Sequence, residues 1–246
     1  VESREINPLL VYWHSVDLPQ VTDALKTIPC DQLHISYFKY PYPHIIAEDF
    51  FHAHKEYTHL ILVPNDLVCS KEHYEMLLKY NKEFDFEVLC GVCNVDTGKY
   101  KDKLNITSNL PVIGPYEERR YFWISKNRYP NMLIKVPFAG FPMMWVRRDV
   151  LEKTRINWLS PQIKGKNPAI WEARGGYSND LAFCHNLNRL GITIYCHTGC
   201  EMLHLRYHGE QQLGKKSPTV KFIRYQGMEK ACQTNTDMTK QTPTIG

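Results

Sequence analysis

The stretch His59–Val68, HLILVPNDLV, decides how the rest of the chain is read. Four apolar residues in a row, Leu60 to Val63, are the pattern of a strand buried on both faces. The chain then stops at Pro64, Asn65 and Asp66. In open α/β sheets ligands bind beyond the carboxyl ends of the strands, and an acidic side chain just there is a candidate functional group. Pro-Asn-Asp is also ordinary turn chemistry, so the neighbouring elements have to decide between the two.

Upstream, PLLVYW (8–13) is a short apolar strand. Asp17 is placed to cap a helix with Pro19 in its first turn, and Val21, Ala24, Leu25 and Ile28 repeat at helical spacing. Leu33–Phe38 is a second strand, Pro41 and Pro43 break the chain, and Ile45–His54 is a helix leading into Leu60–Val63. Strand, helix, strand, helix, strand is the order of a parallel sheet with crossovers. Downstream, Ser70 caps a helix bearing Tyr74, Leu77, Leu78 and Asn81 on one face, and Glu87–Val92 is the next strand. From Asp96 to Asn109 the sequence turns polar, with a glycosylation triplet at Asn105-Ile106-Thr107. Ile113–Tyr129, rich in aromatics and charge, fits either a binding loop or a pair of edge strands. Phe141–Val146 is a strand. Asp149 and Glu152 have capping-box spacing for the helix that follows. A further helix starts after Ser178, carries Leu181, Cys184, Leu187 and Leu190 as its stripe, and closes at Gly191. Ile192–Cys196 is the last strand, with His204 and His208 beyond it.

The 246 residues are 43% hydrophobic and 23% charged, the balance of a soluble globular α/β domain. No apolar run reaches the ~20 residues of a membrane span, and no signal segment opens the sequence, so a cytoplasmic protein is expected. Net charge is +4, and +3 of it lies in residues 210–246, which hold six Lys/Arg against three acids. The near-neutral body argues against nucleic-acid binding. The tail is too mixed in charge for strong membrane attachment, although peripheral contact stays open. Eight cysteines without a signal segment read as reduced thiols. Cys90-Gly-Val-Cys93 has CxxC spacing but lies within a strand and lacks a second pair, which favours a structural role over a metal or redox one.

Asp66, the acidic Asn179-Asp180 helix start and His204 are therefore the chemistry-bearing positions. In this order the segments LILVPNDLVCSKEHYEMLLKY (60–80), PFAGFPMMWVRRDVLEK (137–153), YSNDLAFCHNLNRLGITIYCH (177–197) and HLRYH (204–208) resemble the GT-A-fold glycosyltransferases, especially the inverting family-two type. The resemblance spans about residues 8–208. It implies a single GT-A-like α/β domain over 1–209, with a mainly parallel mixed sheet flanked by helices and a basic, partly disordered tail over 210–246. It also implies a metal-dependent transfer of sugar from a nucleoside diphosphate sugar to a glycan, lipid or protein acceptor hydroxyl, with inversion. Asp66 matches the last carboxylate of the Asp-x-Asp motif that binds Mn²⁺ or Mg²⁺ on the donor diphosphate, with Asn65 beside it. Asp180 matches the catalytic base, and His204 a further metal or diphosphate contact. Arg206, with His208, Lys215 and Lys216, would meet the diphosphate.

Pro64 stands where the family has its first carboxylate. Trp13–Asp17 lacks the family's usual pattern after the first strand. Tyr37 or Tyr40 would stack on the base. WHSVDLP is neither Gly-rich nor basic, which disfavours a nucleotidyltransferase on a similar sheet. The altered motif leaves one rival open, a catalytically degenerate GT-A-like module that binds nucleotide, glycan or protein.

Overall fold

The structure is a computed structural model and describes residues 5–38, 42–95, 102–111, 121–156, 179–205 and 216–226. Strand β1 (Pro8–His14) pairs in parallel with β2 (Asp31–Ser36) on one side and β3 (His59–Val63) on the other. Helix α1 (Pro19–Leu25) links β1 to β2, and α2 (Tyr42–Ala53) links β2 to β3. After the turn at Asp66 come β4 (Leu67–Val68), α3 (Lys71–Phe84) and β5 (Val88–Cys93). β6 (Lys103–Thr107), β7 (Trp123–Ser125), β8 (Leu133–Val136), β9 (Phe138–Ala139) and β10 (Met144–Arg147) follow. The described chain ends with α4 (Arg148–Lys153), α5 (Asn179–Arg189), β11 (Ile194–His204) and β12 (Thr219–Ile223).

Nine strands form one sheet, ordered β12-β2-β1-β3-β10-β5-β11-β4, with β8 also along β11. β1, β2, β3, β5 and β11 point the same way, and β10 is inserted antiparallel between β3 and β5. This is a mixed α/β domain with helices on both faces. The apolar run at Leu60–Val63 is the reason. Leu60 and Leu62 enter one core with Leu9, Val11, Phe51, Val146 and Phe183, while Ile61 and Val63 enter the other with Leu10, Val21, Leu77 and Trp145. Alternate side chains of a strand point to opposite faces, so two covered faces require an unbroken apolar run. Each such side chain contributes roughly 1.5–3 kcal/mol by leaving water. α2, α4 and α5 cover the first face, and α1 and α3 the second.

Several local expectations are corrected. Leu18, not Asp17, is the N-cap of α1, and its apolar side chain makes no cap bond; the Asp17 carboxylate accepts from Tyr37 and Lys216 instead. Asp149 does not close a capping box on α4; its carboxylate holds the Arg147 guanidinium at 2.6 and 3.0 Å. Ser70 does start α3, with His73 Nδ1 accepting from the Ser70 amide at 3.0 Å. The polar stretch before Asn109 is not all loop, since β6 lies in it and joins β7 and β9 in a second, three-stranded sheet. Asn105 of the glycosylation triplet packs its amide against the Cα of Gly140, and Thr107 is fully buried. Of the two readings of 113–129, the described part contains the edge strand β7. Residues 219–223, assigned by composition to the tail, form β12 along the outer edge of β2. Among the described residues no helix is long and apolar enough to cross a membrane. Ser178, Tyr40, Arg206, His208, Lys215 and residues 227–246 lie outside the described residues.

Candidate active site

The carboxyl ends of β1, β2, β3 and β5 open toward one rim of the sheet. On that rim the turn after β3 carries Asn65 and Asp66, and β4 turns back to pair with the end of β11. The register sets Leu67 opposite His204, and the Leu205 amide donates to the Asp66 carbonyl at 2.7 Å. This pairing brings together two side chains 138 positions apart: His204 Nε2 lies 3.1 Å from Asp66 Oδ2. Both are partly exposed, His204 by 20% and Asp66 by 33%.

The other ring nitrogen fixes what this contact can be. His204 Nδ1 lies 3.0 Å from the Asn94 carbonyl oxygen, just past the end of β5. A carbonyl only accepts, so Nδ1 carries a proton. A neutral ring then turns the Nε2 lone pair toward a carboxylate, acceptor against acceptor. The arrangement is satisfied by a proton between Nε2 and Oδ2 or by a cation bound by both side chains. Metal-binding histidines are oriented in this way, with the second nitrogen donating to a carbonyl. Among the described residues no third His, Cys, Asp or Glu joins them in a metal-holding group.

Asp180 sits in the first turn of α5, where its Oδ1 accepts the Leu181 amide at 2.8 Å. The helix is seated on β9 through Cys184, whose thiol donates to the Ala139 carbonyl at 3.3 Å. A carboxylate in a helix's first turn is favoured in its charged form by the helix dipole. Asp180 thus belongs to the layer that covers the sheet, whereas Asp66 and His204 belong to the sheet's rim.

A second cluster lies at the ends of β1 and β2. His14 Nε2 accepts from Ser36 Oγ at 2.6 Å, and Nδ1 donates to the Val16 carbonyl at 3.1 Å. Asp17 accepts from the Tyr37 hydroxyl and from Lys216, which arrives on the segment leading into β12. Lys216 also lies 3.1 Å from the Tyr37 hydroxyl and 5.1 Å over its ring. Tyr37 holds a left-handed φ of 62°, a conformation that costs a non-glycine residue about 1–3 kcal/mol. Burial holds His14 below the usual histidine range, partly offset by Asp17. The bond from Lys216, followed by that from Tyr37, holds the Asp17 carboxyl below the usual carboxylate range. Sequence reasoning singles out Tyr37 but assigns Asp17 to a cap and leaves His14 and Ser36 aside. The signal was available, since these residues end β1 and β2 just as Asp66 follows β3.

No protein family's sequence profile matches the chain, and no curated protein matches it by sequence. Among solved structures it is similar to "Crystal Structure of A197 from STIV", with a TM-score of 0.55 and 16% identity over 93% of this chain and 99% of that one. At that identity the likeness shows the shared α/β fold and nothing further.

Proposed function

We propose that the protein is a metal-dependent glycosyltransferase that moves a sugar from a nucleoside diphosphate sugar to an acceptor hydroxyl with inversion. The observation that carries this reading is the contact of His204 Nε2 with Asp66 Oδ2, a position at the rim of the sheet that takes a proton or a cation between the two side chains. The Asp66 carboxylate suits a hard divalent ion, which is commonly held by one or two carboxylates with the remaining positions left to phosphate and water. Asp66 and His204 would hold Mn²⁺ or Mg²⁺, which when bound would neutralise charge on the departing diphosphate.

The protein's own groups do the rest. The Asn94 carbonyl orients the His204 ring, and the β4–β11 pairing fixes the Asp66 turn against it. Asp180, at its helix start, takes the proton from the acceptor hydroxyl as general base. Asn65, in the same turn as Asp66, and Arg206 would contact the donor. The His14–Tyr37 cluster, on the neighbouring strand ends, would meet the nucleoside.

A second reading, a GT-A-like module that binds without turnover, is favoured by Pro64, which supplies no carboxylate and no amide N–H beside Asp66. Calorimetric titration of UDP and GDP with and without Mn²⁺, on the wild type and Asp66→Ala, tests the donor site. Metal-dependent binding that Asp66→Ala abolishes is expected, followed by sugar-nucleotide turnover that Asp180→Asn abolishes. Binding indifferent to metal and to Asp66 would sink the metal mechanism. Metal-dependent binding without turnover against any sugar nucleotide would leave the module.

A further inference from the structure

The CxxC spacing of Cys90 and Cys93 suggests a reactive pair, but the strand forbids it. Cys90 lies within β5 with its side chain in the same core as Val88 and Val92, while Cys93 faces the opposite core with Leu89. Alternation along a strand always separates residues three apart in this way. The neighbour of Cys90 is instead Cys196, directly opposite it in the parallel pairing of β5 with β11. Their sulfurs stand 2.9 Å apart, well inside ordinary sulfur–sulfur contact, and both side chains are fully buried.

The backbone suits a bond between them. Neighbouring strands lie ~4.7–4.9 Å apart, within the ~4.4–6.8 Å that disulfide-bonded Cα atoms span. A disulfide needs its sulfurs at about 2.05 Å, so closure asks for a movement of about 0.9 Å, within reach of side-chain rotation. The other described cysteines have different neighbours. Cys69 meets the Met202 sulfur at 3.2 Å, Cys184 the Ala139 carbonyl at 3.3 Å, and Cys200 the His73 carbonyl at 3.7 Å. No other cysteine pair among the described residues shows a sulfur–sulfur contact.

We propose that Cys90 and Cys196 are a modification site for low-molecular-weight disulfides of the glutathione type, which convert them to a cross-strand disulfide. The thiolate of one cysteine attacks the external disulfide, forms a mixed disulfide and releases one small thiol. The second cysteine then attacks the protein sulfur of that mixed disulfide and releases the other. Two protein S–H bonds are lost and one S–S bond forms; the external disulfide is reduced to two thiols, which take up the two protons. Burial pushes the Cys90 thiol well above its ordinary range and keeps it inert in the closed sheet. Reaction therefore runs through local opening of β11, whose pairing with β5 shifts register immediately after Cys196. The cross-link would join the strand that leads to Asn94 to the strand that ends in His204. Its formation is independent of the transferase reading.

The test uses the full chain, incubated in buffers spanning reduced to oxidised glutathione, quenched in acid and alkylated under denaturing conditions. Non-reducing peptide mapping of the wild type is expected to show one cross-linked pair containing Cys90 and Cys196, with the intact mass lower by two hydrogens. Cys90→Ser and Cys196→Ser should each abolish that species. Because either variant could fold poorly, the wild type is also unfolded in denaturant and refolded in oxidising buffer, where the same pair should dominate. Recovery of Cys90 and Cys196 as alkylated thiols at every ratio, native and refolded, overturns the proposal. So does a map in which either pairs mainly with another cysteine.

Discussion

Replacing Arg148 with methionine should destabilise the protein by about 2–4 kcal/mol, and the figure follows from what the guanidinium holds. Arg148 opens α4, and its Nε donates to the Tyr57 carbonyl at 2.7 Å. Nη2 donates to the carbonyls of Phe51 at 3.0 Å and His54 at 2.8 Å, at the open end of α2. The group lies 4.0 Å over the Phe51 ring. One side chain therefore satisfies the Phe51 carbonyl in the last turn of α2 and bonds two carbonyls of the loop that feeds β3. Each hydrogen bond from a charged donor stabilises by roughly 1.5–3 kcal/mol. Against the three bonds stands partial desolvation, visible in an Nη1 that has no partner among the described residues and in a guanidinium pushed below its usual range by burial. Methionine keeps the stem on Phe51 and removes the donors together with the charge over the ring. For a chain of this size about 2–4 kcal/mol lowers Tm by roughly 5–15 °C. Arg148→Lys, with one point of charge, should fall between. Calorimetry and urea titration read both, and an Arg148→Met variant within ~0.5 kcal/mol of wild type would refute the reasoning.

Two further predictions follow from burial. Gly91 lies in central β5, where an added Cβ would stand 2.6 Å from the Cys200 carbonyl oxygen and 2.2 Å from Met202 Cε; Gly91→Ala should cost about 1–3 kcal/mol by overpacking, seen as a lower urea midpoint at unchanged slope. Burial lowers His34 to about 4 and His44 to about 3. The unfolded chain, with histidines near 6.5, then binds more protons than the native one, so the stabilising difference is present above pH 6.5 and is lost as pH falls toward 4 and then 3. Urea midpoints from pH 7.5 to 4.5 should fall, and His34→Gln should flatten the slope; a midpoint independent of pH in this window would contradict it.

The sheet was legible because its central strands are buried on both faces, which writes itself into sequence as unbroken runs such as Leu60–Val63. The approach of Asp66 to His204 was partly legible, since Asp66 follows β3 of the same sheet, but β11 runs on past the expected Cys196 and has His204 as its last residue. The small sheet was not. Lys103–Thr107 reads as KLNIT, half polar, and its strand character comes from partners at 123–125 and 138–139 that no local pattern reveals. Asp17 and Asp149 have the spacing of helix caps, yet cations that the sequence cannot place claim them, Lys216 from across the chain and Arg147 from next door. The Ser36–His14 contact depends on a parallel register that sets those two residues opposite one another.

The edge strand β12 has a consequence for the order of synthesis. β2 and its outer neighbour are separated by about 180 residues of chain. At ribosomal rates of ~5–20 residues per second, that separation takes roughly ten to forty seconds to traverse. Throughout that interval β2 is the outermost strand of whatever has folded, with one row of amides and carbonyls open to any extended chain nearby. The nascent protein thus passes through a stage in which its earlier strands offer an unguarded border that residues 219–223, made later, seal. Truncation before residue 219 would make that transient state permanent.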